Sequence, residues 1–247
     1  TYKDIISFII VGIRLTVTVT LISFFLSVII GLITAFALMS DGKNILSVFF
    51  RNIATLYVQL VRGIPMLVLI FYTALVIIPA VIIAISNLGT WLASMGVLPT
   101  DNFLSTLTVR DVDFLVRGII ALAINYGAFS AEVFRAGIQS IEKGQLEASR
   151  ALGLNWIQMM RYVVLPQAVR RILPPLGNDF ISMLKESSLV SVLGVGEITQ
   201  LGRKYSASSF LYAETFNVVA FLYLSLTLIL SMGVKYMEQR MTTGEEE

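Results

Sequence analysis

The run FIIVGIRLTVTVTLISFFLSVIIGLITAFALM, from Phe8 to Met39, contains one charged residue, Arg14, and no proline. An α-helix crosses the ~30 Å hydrocarbon layer of a bilayer in about 20 residues, so this run is long enough to span it. Comparable apolar stretches recur along the chain. Of its 247 residues 56% are hydrophobic and 14% charged, and the mean hydropathy is +0.83. Soluble domains carry about a quarter charged residues, and a water-soluble fold of this size could not hide so much apolar surface. Lipid offers no partners to backbone polar groups, so apolar runs of this length cross it as helices. The sequence predicts an all-α polytopic membrane protein.

Working outward from that run, Ser40-Asp41-Gly42-Lys43 reads as a polar turn. The early part, Arg14 to Thr20, is Thr-rich and suits either an outer end or an interfacial start. The next apolar stretch, Ile45 to Ile85, is too long for one ordinary span. Gly63-Ile64-Pro65 divides it, because proline removes a helical hydrogen bond and clashes with the preceding turn. Ile45 to Arg62 is then a leading helix that begins in the interface, and Pro65 to Ile85 is the crossing. Residues 86–113, rich in Ser, Thr, Asn and Asp with Pro99, read as a mixed outer loop. Five transmembrane helices are predicted in a single domain, at about 8–39, 65–85, 114–136, 174–195 and 212–237. A polar, basic, helix-forming segment occupies about 137–172, and the acidic tail Thr243 to Glu247 reads as frayed.

Five spans put the termini on opposite sides, and basic residues choose the side that faces the cytoplasm. Lys43, Arg51, Arg62, Arg135, Lys143, Arg150, Arg161, Arg170, Arg171, Lys235 and Arg240 fall on one side, against Lys3, Arg110, Arg203 and Lys204 on the other. The 137–172 segment and the C-terminus are therefore expected in the cytoplasm and the N-terminus outside. Cysteine and histidine are both absent, which removes disulfides, Cys/His metal sites and imidazole proton transfer. A formal charge of +2 gives no reason to expect a nucleic-acid partner. The opening TYKDIISFII has neither an initiator Met nor a signal-peptide pattern, so the numbering is expected to start inside a longer chain.

The most informative polar stretch is Gly144-Gln-Leu-Glu-Ala-Ser-Arg-Ala-Leu-Gly153-Leu-Asn-Trp-Ile-Gln-Met-Met-Arg-Tyr-Val-Val-Leu165-Pro166. Gln145 to Leu152 are good helix formers, and Gly153 suits a left-handed C-terminal cap. Asn155 can cap a following helix whose apolar residues Trp156, Met159, Met160 and Val163 recur at helical spacing and read as packing. Pro166 then starts a segment leading back to the bilayer. Two short helices set at a fixed angle by glycine make a protrusion suited to another protein's groove. An amphipathic loop lying on headgroups is the competing reading.

The residues decide between them. Glu147-Ala148-Ser149, Gly153 four positions later and Val163-Val164-Leu165-Pro166 resemble the EAA signature of binding-protein-dependent ABC importer permeases, with Ser149 where a second alanine is usual and Val163 where isoleucine is usual. Arg62-Gly63-Ile64-Pro65, the block Asn125 to Ile138 and the block Asn178 to Leu189 resemble the branch of that family that carries polar amino acids. The resemblance covers most of residues 8 to 240; the 86–113 loop is longer than is common there. It implies the type I importer permease fold in a bacterial plasma (inner) membrane. It also implies two cytoplasmic ATPase subunits that bind ATP and Mg, a second permease subunit (identical or not) and an extracytoplasmic amino-acid-binding protein, possible as a domain fused upstream. Glu147, Ala148, Ser149, Arg150, Leu152 and Gly153 would form the coupling helix that docks on the ATPase. No Walker A motif occurs, so ATP hydrolysis belongs to another chain. Neither inverted repeats nor paired broken helices point to a secondary transporter, and no metal or cofactor is expected in this chain.

Ionisable groups at membrane depth are costly and usually face a cavity or a partner. Asp179 and Glu186 stand seven residues apart, about 20° from alignment on a helix, with Ser182 between them on the same face. Lys185 points roughly 120° away from Asp179 and could serve a neighbouring helix or subunit. The carboxylate stripe either lines a substrate cavity, favouring a cationic or zwitterionic amino acid, or forms structural ion pairs. Asn125, Tyr126 and Ser130 offer hydrogen bonds to substrate or, equally, to neighbouring helices. Glu132 and Arg135 read as an i, i+3 ion pair. Tyr57, Phe71 and Tyr72, near the Pro65 break, are pathway candidates against the plainer reading of packed aromatics.

Overall fold

The computed structural model describes residues 1–40 and 44–242, in which all regular structure is helical. The expected turn at 41–43 and the acidic tail lie outside the described residues. The order is α1 (Tyr2–Ile9), α2 (Gly12–Leu38), α3 (Ile45–Gly63), α4 (Met66–Tyr72), a π turn (Thr73–Ile77), α5 (Ile78–Ser94), α6 (Phe103–Thr106) and a 3₁₀ turn (Val109–Asp111). Then follow α7 (Phe114–Gln139), α8 (Lys143–Ala151), α9 (Trp156–Met159), a second π turn (Met160–Val164), α10 (Leu165–Glu186), a 3₁₀ segment (Ser187–Leu193), α11 (Ile198–Ser209) and α12 (Tyr212–Thr242). Among the described residues five segments are long and apolar enough to cross a membrane: Tyr2–Leu38, Ile45–Gly63, Met66–Ser94, Phe114–Gln139 and Tyr212–Arg240. The chain is an all-α membrane protein, as its hydropathy requires.

The helix bounds differ from the sequence reading in three places. α3 is itself long enough to be a candidate span, and the chain breaks after it as the proline argument requires. Ile64 (φ −103°, ψ 133°) is extended, as a residue preceding proline tends to be, and α4 restarts at Met66. α5 runs on to Ser94 instead of ending near Ile85, because the Ser86 hydroxyl donates to the Ser105 carbonyl at 3.1 Å and so does not unravel its own helix. The crossing expected over 174–195 is not among those five segments, whereas Ile45–Gly63 is: α10 begins at Leu165, carries Pro174 and Pro175 inside it and passes into a 3₁₀ segment at Ser187. Pro166 does not open a separate segment, since proline is tolerated in the first turn of a helix. That segment ends at Gly194 in the left-handed region (φ 84°).

Both π turns lie just before a proline, Pro79 and Pro166. A wide turn there relieves the clash between the proline ring and the preceding carbonyls. At the first, Ile78 N–H donates to the Thr73 carbonyl, and the next donor in that register would be Pro79, which has none. The orphaned Ala74 carbonyl is taken by Arg117 Nη1 at 3.1 Å. Arg117, buried on α7, also donates through Nε to Val112 O at 2.9 Å and through Nη2 to Val109 O. One guanidinium thus ties the bulge in the broken crossing to the outer connection.

The bundle is organised around α2 and α7. α2 buries Gly12, Thr16, Thr20, Ser23, Ser27, Gly31 and Thr34, spaced as one stripe of small residues along its length. The Thr-rich start is therefore a packing face, with Thr16 and Thr20 fully buried. Small residues let membrane helices approach closely, and here the closeness is close to its limit. A Cβ at Gly31 would lie 2.5 Å from Ser130 Cβ and 3.0 Å from Ala131 N. Gly31→Ala is expected to cost about 1–3 kcal/mol by overpacking and to lower the thermal midpoint of the purified protein. Gly233→Ala, where nothing lies within 4 Å, is the control and should leave it in place. α10 packs on α7 and α12, while α1 and α11 close the other flank against α12 through Ile5, Ile9, Ile198 and Leu222.

Candidate functional site

The break after α3 opens a cavity of about 270 Å³ lined by Val61, Arg62, Ile64, Met66, Asn125, Tyr126, Phe129, Asp179, Ser182 and Glu186. At ~30 Å³ per water this is room for about nine waters, enough for a small polar solute. Three elements build it: the C-terminal end of α3 with its proline break, the middle of α7 and the inner face of α10. α3 is held against α7 by Tyr57, whose hydroxyl donates to the Ile124 carbonyl at 2.5 Å. Gly127 leaves the room for that ring, since a Cβ there would lie 2.9 Å from the Tyr57 hydroxyl.

The helical spacing of the carboxylates brings Asp179, Ser182 and Glu186 onto the cavity wall together. Tyr126 donates its hydroxyl to Glu186 Oε2 at 3.0 Å. Asp179 Oδ2 is buried and has no hydrogen-bond partner among the described residues. Arg62 faces the same space with its guanidinium 5.3 Å from the centroid of the Phe129 ring. It forms no ion pair with a described residue, so cation and anions share one cavity without neutralising each other. Lys185 is exposed and turned away from them.

Arg62 is the residue that sequence reasoning placed elsewhere, among the basic groups of the cytoplasmic side. Its sequence signal was its position directly before the Gly63-Ile64-Pro65 break, where a helix ends inside the membrane. Ser130 and Tyr72 are not part of the cavity wall. Ser130 is fully buried on the α7 face that meets Gly31, one helical step away from the cavity. Tyr72 is 52% exposed on α4, pointing away from the bundle, and Phe71 is exposed beside it. Glu132 and Arg135 form the expected ion pair, 2.6 Å from Nη2 to Oε2. They line a second recess with Arg51, Thr55 and Gln59 between α3 and the far end of α7.

The polar stretch after α7 forms a protrusion. α8 closes with Leu154 N–H on Ser149 O at 3.1 Å and Gly153 N–H on Arg150 O at 2.9 Å, around Gly153 at φ 76°. This is the left-handed glycine termination that the sequence pattern requires. Asn155 and Gln158 then cap one another's backbone at 2.9 Å each, starting α9. α9 is one turn long and runs through the second π turn into α10, so the second arm of the protrusion is the beginning of α10. Met159, Ile141 and Leu146 root it in a cluster with Phe134 and Ile172. Glu147, Ala148, Arg150, Leu152 and Gly153 are exposed, whereas Ser149 is buried and donates to the Leu146 carbonyl at 2.9 Å. Trp156, read from its spacing as packing, is instead 67% exposed, with Ile157 at 70% and Leu152 at 81%. The tip thus presents three large apolar side chains on a rigid base.

Comparison with known proteins fits this arrangement. The family model described as "Binding-protein-dependent transport system inner membrane component" matches residues 27–243. The glutamine transport system permease protein GlnP of Escherichia coli (strain K12) is 32% identical over 230 residues, 93% of this chain and 91% of its own. The arginine transport system permease protein ArtQ of Bacillus subtilis (strain 168) is 28% identical over 240 residues, 97% of this chain and 95% of its own. Among solved structures, one described as a crystal structure of an amino acid ABC transporter with histidines superposes with a TM-score of 0.72 at 32% identity, covering 97% of this chain and 95% of that one. The inward-facing MetNI methionine ABC transporter shares the fold alone, with a TM-score of 0.68 at 19% identity. With its broken crossing, its close-packed helix pair and its protruding glycine-capped loop, this chain belongs to the family of binding-protein-dependent transport system inner membrane components.

Proposed function

We propose that the cavity between α3, α7 and α10 holds the transported molecule, a free polar or basic amino acid, partway across the membrane. The observation that supports this reading is the meeting, around one space, of the Arg62 guanidinium, which forms no ion pair with a described residue, and the Asp179 carboxylate, whose buried Oδ2 has no partner among the described residues. A free amino acid carries an α-carboxylate for Arg62 and an α-amino group for Asp179, so it closes both circuits at once. An unsatisfied buried acceptor such as Asp179 Oδ2 costs about 1–3 kcal/mol until a donor reaches it. Asn125 and Ser182 add neutral hydrogen-bonding groups, and Glu186, steadied by Tyr126, faces the side chain. The glutamine and arginine carried by relatives, according to their names, belong to this class.

The chain is the membrane-spanning subunit of an ATP-driven importer, and hydrolysis takes place on a separate ATPase. In our reading two cytoplasmic ATPase subunits, holding ATP and Mg, seat on the protrusion through Glu147, Ala148, Arg150, Leu152 and Gly153. A second permease subunit completes the pathway, and an outer binding protein delivers the substrate. The N-terminus lies outside and the C-terminus in the cytoplasm. A binding screen of the assembled complex with arginine, lysine, histidine, glutamine and glutamate tests the substrate assignment. Cationic and amide side chains are expected to bind, and a preference for glutamate would remove the carboxylates from the site. Arg62→Met should weaken every bound amino acid alike, by about tenfold or more, because it removes a charge-assisted contact to the group they share.

A further inference from the structure

The longest uncharged stretch of the chain, Gly63 to Thr100, continues well past the point where a membrane crossing needs to end. With the cavity partway across the membrane, the proposed reading on which this step rests, about ten helical residues from Met66 cover the ~15 Å to the outer edge of the hydrocarbon. That point is reached near Val76, at the level where Arg117 grips the π turn. α5 then continues from Ile78 to Ser94 and packs substantially only on the π turn, on α6 and on the 3₁₀ turn after it. It has left the bundle, and α6 folds back on it as the second arm of a hairpin.

The polarity of that hairpin is not that of one that lives in water. Two polar side chains join its arms: Ser86 donates to the Ser105 carbonyl at 3.1 Å, and Asn102 donates to the Gly89 carbonyl at 3.2 Å. Asn87, Thr90 and Ser94 are exposed along one side of α5, as a helix at the headgroup boundary requires. Gly89 is buried where the two arms meet, since a Cβ there would lie 2.6 Å from Ser105 N. The apolar side chains face outward: Val81 is 50% exposed, Ile83 53%, Leu88 50%, Trp91 53%, Met95 57% and Phe103 75%. A hairpin in water hides such residues and shows its polar ones. The apolar face also continues the exposed wall of the crossing below it, Val68 and Leu75. Charged groups return only at Asp101 and beyond, at the end of the hairpin where Arg110 and Asp111 follow.

We infer that the hairpin of α5 and α6 lies in the outer leaflet, bent over at the π turn and Pro79 so that its apolar face is covered by acyl chains. A helix of this kind sits about 5–10 Å into the boundary between headgroups and acyl chains, and tryptophan prefers that depth. The occupant is lipid and not a soluble binding protein, because the face offers no charge for such a partner to pair with and no break from the lipid-facing wall. Seated there, the hairpin is a shelf on the outer side, anchored to the π turn of the broken crossing by Arg117.

Trp91 and Trp156 are the two tryptophans of the chain, so the test is spectroscopic. Trp156→Phe, assembled with its partner subunits in nanodiscs, leaves Trp91 as this chain's reporter; tryptophans of the partners are subtracted with a Trp91→Phe, Trp156→Phe control. The expected result is a blue-shifted emission that loses roughly half or more of its intensity with phospholipids brominated high on the acyl chain, as fits a shallow interfacial depth, and little with aqueous iodide. Quenching by iodide would put the face in water and overturn the inference. Protection from both quenchers would put a second copy or another protein on it, with the same consequence. Should Trp156→Phe fail to assemble, the difference between the native chain and Trp91→Phe gives the same reading.

Discussion

Asp179→Asn is expected to weaken binding of arginine or lysine by about 10- to 100-fold while affecting glutamine less. The carboxylate loses its charge but keeps its shape, so the change isolates electrostatics from packing. A hydrogen bond to a charged group is worth about 1.5–3 kcal/mol, and each ~1.4 kcal/mol is a factor of ten in affinity. The loss should be at the upper end here, because Asp179 Oδ2 is buried and no donor among the described residues reaches it. Substrate-stimulated ATPase activity and uptake in proteoliposomes measure it. Glu186→Gln should do the same more mildly, since Tyr126 already satisfies one of its oxygens. If both amides left the selectivity between cationic and neutral amino acids untouched, the carboxylates would belong to the architecture and not to the site.

The second large effect is at the tip of the protrusion, where α8 gives way to α9. Leu152→Asp combined with Ile157→Asp should release the ATPase by about 30-fold or more in affinity and abolish substrate-stimulated hydrolysis. Apolar residues that anchor an interface cost about 1 kcal/mol or more each when removed, and a charge in their place adds desolvation. Both side chains project from the tip, so the fold itself should not suffer. An unchanged thermal midpoint of the isolated subunit, with the ATPase lost on co-purification, separates docking from damage. Retention of the ATPase by the double variant would move the docking surface elsewhere.

The residues that could be read from sequence are those whose meaning is carried by spacing along one helix. Asp179, Ser182 and Glu186 are aligned by helical geometry alone, and they meet the cavity together. Gly153 and Asn155 announce a termination and a cap whatever surrounds them, and the structure has both. The membrane itself was legible from composition. What could not be read depends on which helix stands opposite. Ser130 and Asn125 lie on the same span with similar chemistry, yet one faces Gly31 and the other the cavity. Arg62 reads as a cytoplasmic charge because its helix is expected to begin in the interface; the break after it borders the cavity instead. Trp156 shares its spacing with Met159, but it is the first residue of α9, at the tip and beyond the packed base, so only Met159 is buried in the core.

The path from Trp156 to Glu186 has no loop in it. α9, the π turn and α10 are one continuous rod, and about 35 Å separates Trp156 from Asp179 at 1.5 Å per residue. If the proposed roles hold, the tip that would seat on the ATPase and the carboxylates that would bind the substrate lie on one continuous helical rod. Pro174 and Pro175 supply a compliant point near its middle. A push on the tip would then need no relay of side chains: it would reach the cavity as a tilt of its wall.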